Sequence, residues 1–186
     1  MNGRAIDSLL NFVARSYGHS ALHGDERGLL CGLGDSICDG KIPAPGPLAD
    51  DDRALLDQAY GLLDAVRKQM DVQAFHECLE TLWVVVRAAN GYVDRQAPWK
   101  LRKEDPARMG TVLYTLTETI RSLALLAQPF MPESSAHLLD QVGVAAGRRS
   151  FEAFGREHAL KPDTTLPAPV PVFPRFVEKE GARSPG

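Results

Sequence analysis

Apolar residues recur every three or four positions through the middle of this sequence. Such spacing places them on one face of an α-helix. The clearest run follows Asp71, and its apolar positions are Val72, Phe75, Leu79, Leu82, Val86, Ala89 and Val93. Cys78 and Trp83 fall beside this stripe and widen it. We therefore predict a long amphipathic helix whose stripe faces a core.

Two further helices are predicted on either side of this one. The acidic run Asp50-Asp51-Asp52 suits a helix N-terminus, and apolar residues at helical spacing follow it. After the central helix, Asp105 is a good capping residue and Pro106 fits a first helical turn. The predicted buried stripe of this next helix excludes Glu118 and Arg121. It consists of Met109, Val112, Leu113, Leu116, Ile120, Leu123 and Leu126.

Proline and glycine residues mark where the predicted elements end. Residues 41–48 contain three prolines and form a stiff extended loop, whereas Gln128-Pro129 stops a helix. Pro132 opens another helix, and Gly143 terminates it. Residues 166–174 contain four prolines and are predicted to be extended. We predict an all-α bundle of four or five mostly antiparallel helices, followed by an extended proline-rich C-terminal tail.

The length and composition of the chain are those of one domain with flanking segments. It has 186 residues, of which 44% are hydrophobic, enough for one packed core. We divide it into a divergent N-terminal segment (1–35) with a helix at 4–17, a helical bundle (36–155), and an extended, partly disordered tail (156–186). No apolar run reaches transmembrane length, and no signal-peptide core precedes the bundle. We expect a cytoplasmic chain without a membrane partner.

Charge, cysteine and histidine content narrow the possible functions. A formal charge of −3 disfavours non-specific coating of DNA or RNA, although a local basic patch is compatible with one chosen RNA. Cys31, Cys38 and Cys78 match neither a disulfide framework nor a zinc site. His76 and His137 are interpreted as helix-surface or core histidines rather than as catalytic residues. We expect no catalytic residue, no metal site and no cofactor of this chain alone.

Candidate binding chemistry is concentrated where the central helix meets Pro98. Proline cannot donate a backbone hydrogen bond and disfavours a helical residue before it, so Trp99 is predicted at a corner. An aromatic ring among cations can stack a nucleobase while the cations meet its phosphates. Alternatively, Trp99 fills the end of the core, the more common position of a large aromatic, and the cations are only solvated. These cations are Arg95, Lys100, Arg102, Lys103 and, further on, Arg108.

Several motifs, found in order, resemble the anticodon-binding domain of bacterial methionyl-tRNA synthetase, a class Ia enzyme. The likeness covers most of the chain from about Cys38 onward. The combination is far more specific than any single motif. It rests on residues 90–103 together with Asp105-Pro106-Ala107-Arg108-Met109, Gln128-Pro129-Phe130-Met131-Pro132 and Pro171-Val172-Phe173-Pro174-Arg175.

The resemblance implies a helical bundle of the class Ia anticodon-binding type and recognition of the CAU anticodon of tRNA(Met). In that family the tryptophan after the proline recognises the anticodon, and Trp99 matches it. The family also has an asparagine and, one turn later, an arginine that face the anticodon. Asn11 and Arg15 reproduce this spacing, and a solvated helix face is the alternative for them. The residues expected to meet phosphates are Arg95, Lys100, Arg102 and Lys103.

The sequence contains neither a HIGH-type nor a KMSKS-type signature, which class I synthetases use for ATP chemistry. We therefore expect the chain alone not to activate methionine, and ATP to be a cofactor only when a catalytic domain is joined to it. The expected partner is tRNA(Met), and the resemblance also allows a catalytic synthetase domain in trans. Two alternatives stay open: a truncated portion of a methionine–tRNA ligase, or a synthetase-derived protein-interaction module that no longer reads tRNA.

Overall fold

The computed structural model of the protein describes residues 40–167, in which five α-helices and three 3-10 turns follow one another. Within this part of the chain the only β-type pairing is an isolated antiparallel bridge between Lys41 and Thr165. The all-α prediction is therefore confirmed. The helices are α1 (Asp50–Asp71), α2 (Phe75–Gln96), α3 (Pro98–Glu104), α4 (Pro106–Ala127) and α5 (Pro132–Gln141), and the turns are Ala146–Arg148, Phe151–Ala153 and Arg156–His158.

Some predicted features lie outside the described residues. These are the helix at 4–17, the candidate residues Asn11 and Arg15, and the tail beyond residue 167. Within residues 40–167 no helix is both long and apolar enough to cross a lipid bilayer.

Helix α4 is the centre of the bundle and contacts α1, α2, α3 and α5. From Met109 to Ala127 every residue except Tyr114 is buried. The sequence predicted one buried stripe, but neighbours cover this helix on all sides. The prediction that Glu118 and Arg121 lie off the buried face is therefore wrong, and both are buried as an ion pair.

Helix α2 begins at Phe75, later than the predicted start after Asp71. Gln73 has φ 60 and lies in a turn, so the helical period in this part of the sequence does not reflect a helix. Val72 and Phe75 are consequently exposed rather than part of the buried stripe. The later positions of the stripe are buried as predicted: Leu82, Val86, Ala89 and Val93.

The predicted start and stop signals of the later helices are confirmed. Asp105 Oδ1 accepts a hydrogen bond from the Arg108 N–H at 2.9 Å, and Pro106 is the first residue of α4. Pro132 is the first residue of α5. Gly143 has φ 74, a left-handed conformation that favours glycine, and it follows the end of α5.

The two ends of the described chain lie side by side on the bundle. The Ile42 N–H donates to the Thr164 carbonyl at 3.0 Å, and the Asp163 N–H donates to the Ile42 carbonyl at 2.8 Å. Leu160 and Leu166 are buried. Residues 156–167 thus pack on the helices, while the predicted boundary between bundle and tail stays a prediction.

Candidate nucleic-acid interface

Trp99 lies at a sharp turn between α2 and α3. Helix α2 ends at Gln96, Ala97 has φ 43 and ψ 56, and Pro98 begins α3. Pro98 is buried, whereas the Trp99 residue that follows it is 44% exposed. The predicted corner is confirmed, and Trp99 is not a fully buried core residue. The seven-residue helix α3 was not among the helices predicted from the apolar spacing.

The candidate cations lie around this turn in different surroundings. Lys100 and Lys103 are exposed, and Arg102 is half-buried. All three belong to α3, as Trp99 does. Arg95 belongs to the last turn of α2, where its side chain is 59% exposed and its Nε lies 3.5 Å from Asp51 Oδ2. The structure therefore brings the four predicted cations to the same corner of the bundle, with Arg95 partly engaged by a carboxylate.

Arg108 has a different position from the other cations. Its guanidinium meets both oxygens of Asp52, with Nη1–Oδ2 at 2.5 Å and Nη2–Oδ1 at 2.7 Å. The Asp52 side chain is fully buried, and that of Arg108 is 20% exposed. Arg108 is therefore held in an ion pair inside the bundle. The sequence analysis grouped it with the cations near Trp99, and the structure corrects this.

Asp52 is the centre of a network that joins three helices. Its Oδ1 accepts a hydrogen bond from the buried Tyr92 hydroxyl at 2.6 Å, and its Oδ2 accepts one from the Ala49 N–H at 2.8 Å. Burial raises the pKa of Asp52, but the hydrogen bonds from Arg108, Tyr92 and Ala49 outweigh burial and hold the pKa below its ordinary value of 3.8. Burial and the bond to Asp52 raise the pKa of Tyr92. At neutral pH the carboxylate is charged and the phenol is neutral.

The same network reaches both ends of α3. Before α3, Arg108 Nη2 donates to Gln96 Oε1 at 2.7 Å, and Gln96 Nε2 donates to Asp51 Oδ2 at 3.1 Å. After α3, the Arg108 backbone N–H donates to Asp105. One arginine on α4 therefore contacts the residue that ends α2 and the residue that follows α3. We call Asp52, Arg108, Tyr92 and Gln96 the corner network.

This network was not predicted from the sequence, although the sequence contains a signal for it. Asp52 was interpreted only as an acid favourable to a helix N-terminus. It lies three, four and seven positions before Leu55, Leu56 and Ala59, all of which are buried. A carboxylate on the apolar stripe of a helix needs a buried partner, because an isolated charge is costly in a core. That pattern could have predicted a partner such as Arg108.

A second buried ion pair lies further along α4. Arg121 Nη2 lies 2.6 Å from Glu118 Oε1, and both side chains are at most 2% exposed. Glu118 also accepts hydrogen bonds from the Tyr60 hydroxyl and from the Leu160 N–H, each at 2.9 Å. Burial and the neighbouring Glu118 raise the pKa of Tyr60. Arg121 donates to the Ala153 and Gly155 carbonyls at 3.0 and 3.1 Å.

These contacts attach the segment 153–160 to the bundle. We call Glu118, Arg121 and Tyr60 the tail network.

Within residues 40–167, no cluster of three or more histidine, cysteine, aspartate or glutamate side chains could hold a metal ion.

Comparison with known proteins places this architecture in a family. A family model described as the anticodon binding domain of methionyl tRNA ligase matches residues 42–183. A methionine–tRNA ligase of Brucella suis is 49% identical over 143 residues, which cover 77% of this chain and 28% of that protein. A methionine–tRNA ligase of Mycobacterium bovis is 49% identical over 142 residues, which cover 74% of this chain and 27% of that protein.

Solved structures give the same result. The apo crystal structure of Mycobacterium tuberculosis methionyl-tRNA synthetase superposes with a TM-score of 0.81 at 39% identity, over 95% of this chain and 32% of that one. The structure of that enzyme with methionyl-adenylate superposes with a TM-score of 0.80 at 40% identity, over 93% of this chain and 31% of that one. This chain thus spans about a third of the solved synthetases, and less of the ligases matched by sequence.

Because the family model extends over the whole described bundle, the resemblance stated from the sequence and the predicted type of helical bundle are both confirmed. The chain belongs to the family of the methionyl-tRNA ligase anticodon-binding domain.

Proposed function

We propose that this chain recognises the anticodon of tRNA(Met), as the anticodon-binding portion of a methionine–tRNA ligase. The observation that carries the proposal is the exposed ring of Trp99 among the cations of α3, in a member of this family. The relatives compared above are named methionine–tRNA ligases or methionyl-tRNA synthetases.

The chemistry of the corner suits single-stranded RNA. Anticodon bases can unstack from their loop, and a base that leaves the stack finds a flat partner in Trp99. One base–aromatic stack contributes about 1–3 kcal/mol. Lys100, Arg102 and Lys103 on α3, with Arg95 one turn earlier, would meet phosphates of the same loop. Phosphate contacts orient the RNA and the base contact reads it.

The overall charge indicates how the binding energy is divided. The chain carries a formal charge of −3, so its net charge does not attract RNA, and we assign the attraction to the cations of the corner. A single stack and a few phosphate contacts give modest affinity. We propose that this chain discriminates between anticodons, and that the rest of a ligase supplies further affinity together with the ATP and methionine chemistry. The chain alone should show no methionine-dependent pyrophosphate–ATP exchange above a no-protein control.

A second candidate function is protein interaction through the turn between α1 and α2. Val72 is 73% exposed and Phe75 is 51% exposed in that turn. Exposed apolar residues that lie together often mark a docking surface. This candidate predicts that changes at Val72 and Phe75 impair a protein contact, whereas the anticodon proposal predicts that they leave RNA binding unchanged.

The proposal is tested by titrating a fluorescent anticodon stem-loop with the purified chain. One stem-loop carries the CAU anticodon, and the other differs by one anticodon base. We expect the CAU loop to bind about 5–150-fold more tightly, since one wrong base at a specific site typically costs about 1–3 kcal/mol. Equal affinities for the two loops would overturn the proposal and favour the protein-interaction candidate.

A further inference from the structure

We infer that Arg108 and Gln96 are positioning residues for anticodon reading, because the Arg108 side chain holds Gln96 at the start of the short helix that carries Trp99, while the first turn of α4 holds the other end of that helix. This inference rests on the proposed function, and it explains selectivity between anticodons by the fixed orientation of Trp99. Gln96 was not among the candidate residues predicted from the sequence, and Arg108 was predicted only as one of the cations near Trp99.

The geometry supports this role because the restraint is two-sided. The Gln96 amide is engaged by two partners, accepting from Arg108 Nη2 at 2.7 Å and donating to Asp51 at 3.1 Å. The Arg108 backbone N–H holds Asp105 at 2.9 Å. Residues 97–104, including Trp99, thus lie between Gln96, which the Arg108 guanidinium holds, and the Asp105 cap of α4, whose bond is to a backbone N–H and does not need the arginine side chain.

Helix α3 needs such restraint to keep one orientation. Seven residues are too few for a helix that is stable by itself. Ala97 adopts φ 43, a left-handed conformation that is unfavourable for a residue with a side chain. Such a turn persists when surrounding contacts determine it. The corner network supplies some of these contacts from α1, α2 and α4, in addition to the burial of Pro98.

A platform for a base must also be oriented before the base arrives. If α3 reoriented freely, the ring would have to be ordered upon binding, and the cost would reduce the difference between correct and incorrect loops. Asp52 in turn fixes Arg108, because two carboxylate oxygens hold the guanidinium plane in one position. The restraint on Trp99 therefore begins in the buried core.

The tail network offers a matched control. Among the described residues, the hydrogen bonds of Glu118 and Arg121 run to α1 and to the segment 153–160, and not to α3. A Tyr60→Phe change removes one hydrogen bond from that network and leaves the corner network intact. Gln96→Ala removes two hydrogen bonds at a half-buried position and leaves the Asp52–Arg108 pair in place. Both variants should fold.

The measurement is the ratio of dissociation constants for the altered and the CAU stem-loop. We expect Gln96→Ala to lower this ratio about 3–10-fold, a part of what one wrong base typically costs, and Tyr60→Phe to leave it within about 2-fold. Arg108→Lys should also lower the ratio. One ammonium can satisfy Asp52, but it cannot reproduce the fork that reaches Gln96 at the same time.

A double variant separates positioning from general destabilisation. If Gln96 acts through Trp99, adding Gln96→Ala to Trp99→Ala should not lower the ratio further. If the wild-type chain distinguishes the two loops, an unchanged ratio in Gln96→Ala would overturn this inference but not the proposed function. An additional loss in the double variant would also overturn it. A wild-type chain that binds both loops equally would overturn the proposed function itself.

Discussion

The corner network and the tail network use the same chemistry at two places in one bundle. In each, an arginine of α4 pairs with a buried carboxylate that also accepts hydrogen bonds from a tyrosine and from a backbone N–H. They differ in where the arginine sends its remaining hydrogen bonds. Arg121 donates to backbone carbonyls of the C-terminal segment, whereas Arg108 donates to the side chain that ends α2.

This difference separates two roles of buried charge. The Glu118–Arg121 pair of the tail network is almost completely desolvated and connects parts of the core, so its loss should lower the stability of the fold. The corner network keeps Arg108 20% exposed and lies next to the exposed Trp99. Loss of the corner network should lower both the free energy of unfolding and the selectivity between the two stem-loops. The two networks can therefore be tested against each other.

The largest loss of stability is expected for Glu118→Gln. The change leaves the Arg121 guanidinium, which is 2% exposed, without its counter-charge. Removing one partner of a buried ion pair typically costs about 3–5 kcal/mol. Urea unfolding measures this loss. The selectivity between stem-loops, measured where the variant is still folded, should stay at the wild-type value, and a lost selectivity would contradict the separation of roles.

A smaller loss is expected for Asp52→Asn, because Arg108 retains some contact with water. We expect a cost of about 2–3 kcal/mol, somewhat below that of a fully buried pair. In contrast to Glu118→Gln, this variant should also lose selectivity for the CAU loop. A loss of stability with full selectivity would show that the corner is held without the Asp52 carboxylate.

The pH dependence of the free energy of unfolding should differ between Asp52→Asn and the wild-type chain. The pKa of Asp52 is lower in the folded chain than its ordinary value of 3.8, so the unfolded chain takes up this proton first as the pH falls. The contribution of Asp52 is therefore present above pH 4 and is lost as the pH falls through the lower, folded pKa. Urea unfolding from about pH 5 to pH 2.5 should give a shallower decline for Asp52→Asn than for wild type. Parallel declines would contradict the pairing of Asp52.

The smallest effects are expected for the exposed lysines of α3. Lys100→Gln or Lys103→Gln should weaken binding of both stem-loops by a similar factor, because phosphate contacts do not read bases. Each change should reduce the slope of log affinity against log salt by about 1. The salt series is measured with both loops. A loss confined to the CAU loop would give the lysine a reading role that we do not assign to it.

Local signals in the sequence predicted most of the fold. Asp105, Pro106, Pro132 and Gly143 act within one helical turn, and their predicted positions agree with the structure. The predicted start of α2 was wrong because Val72 and Phe75 fit a helical period without belonging to a buried helix face.

The candidate site was only partly predictable. Pro98 placed Trp99 at a corner by a local rule, and that position is confirmed. Apart from the Glu118–Arg121 pair itself, the side-chain partners of Arg108, Gln96, Glu118 and Arg121 lie 12 to 58 residues away, and helical periodicity alone cannot pair them. Asn11 and Arg15 stay predictions, as do the individual RNA contacts of Trp99, Arg95, Lys100, Arg102 and Lys103.

The most direct test compares the two tryptophans of the chain. Trp83 packs partly buried against the core, whereas Trp99 is 44% exposed at the corner. Trp99→Ala and Trp83→Ala are each subjected to thermal melting and to titration with both stem-loops. Trp99→Ala should lose little stability but weaken binding of the CAU loop by about 1–3 kcal/mol, and the altered loop by less. Trp83→Ala should do the reverse. A stability loss of about 3–5 kcal/mol for Trp99→Ala, typical of a buried aromatic, without an anticodon-dependent defect would contradict its role as the reading residue.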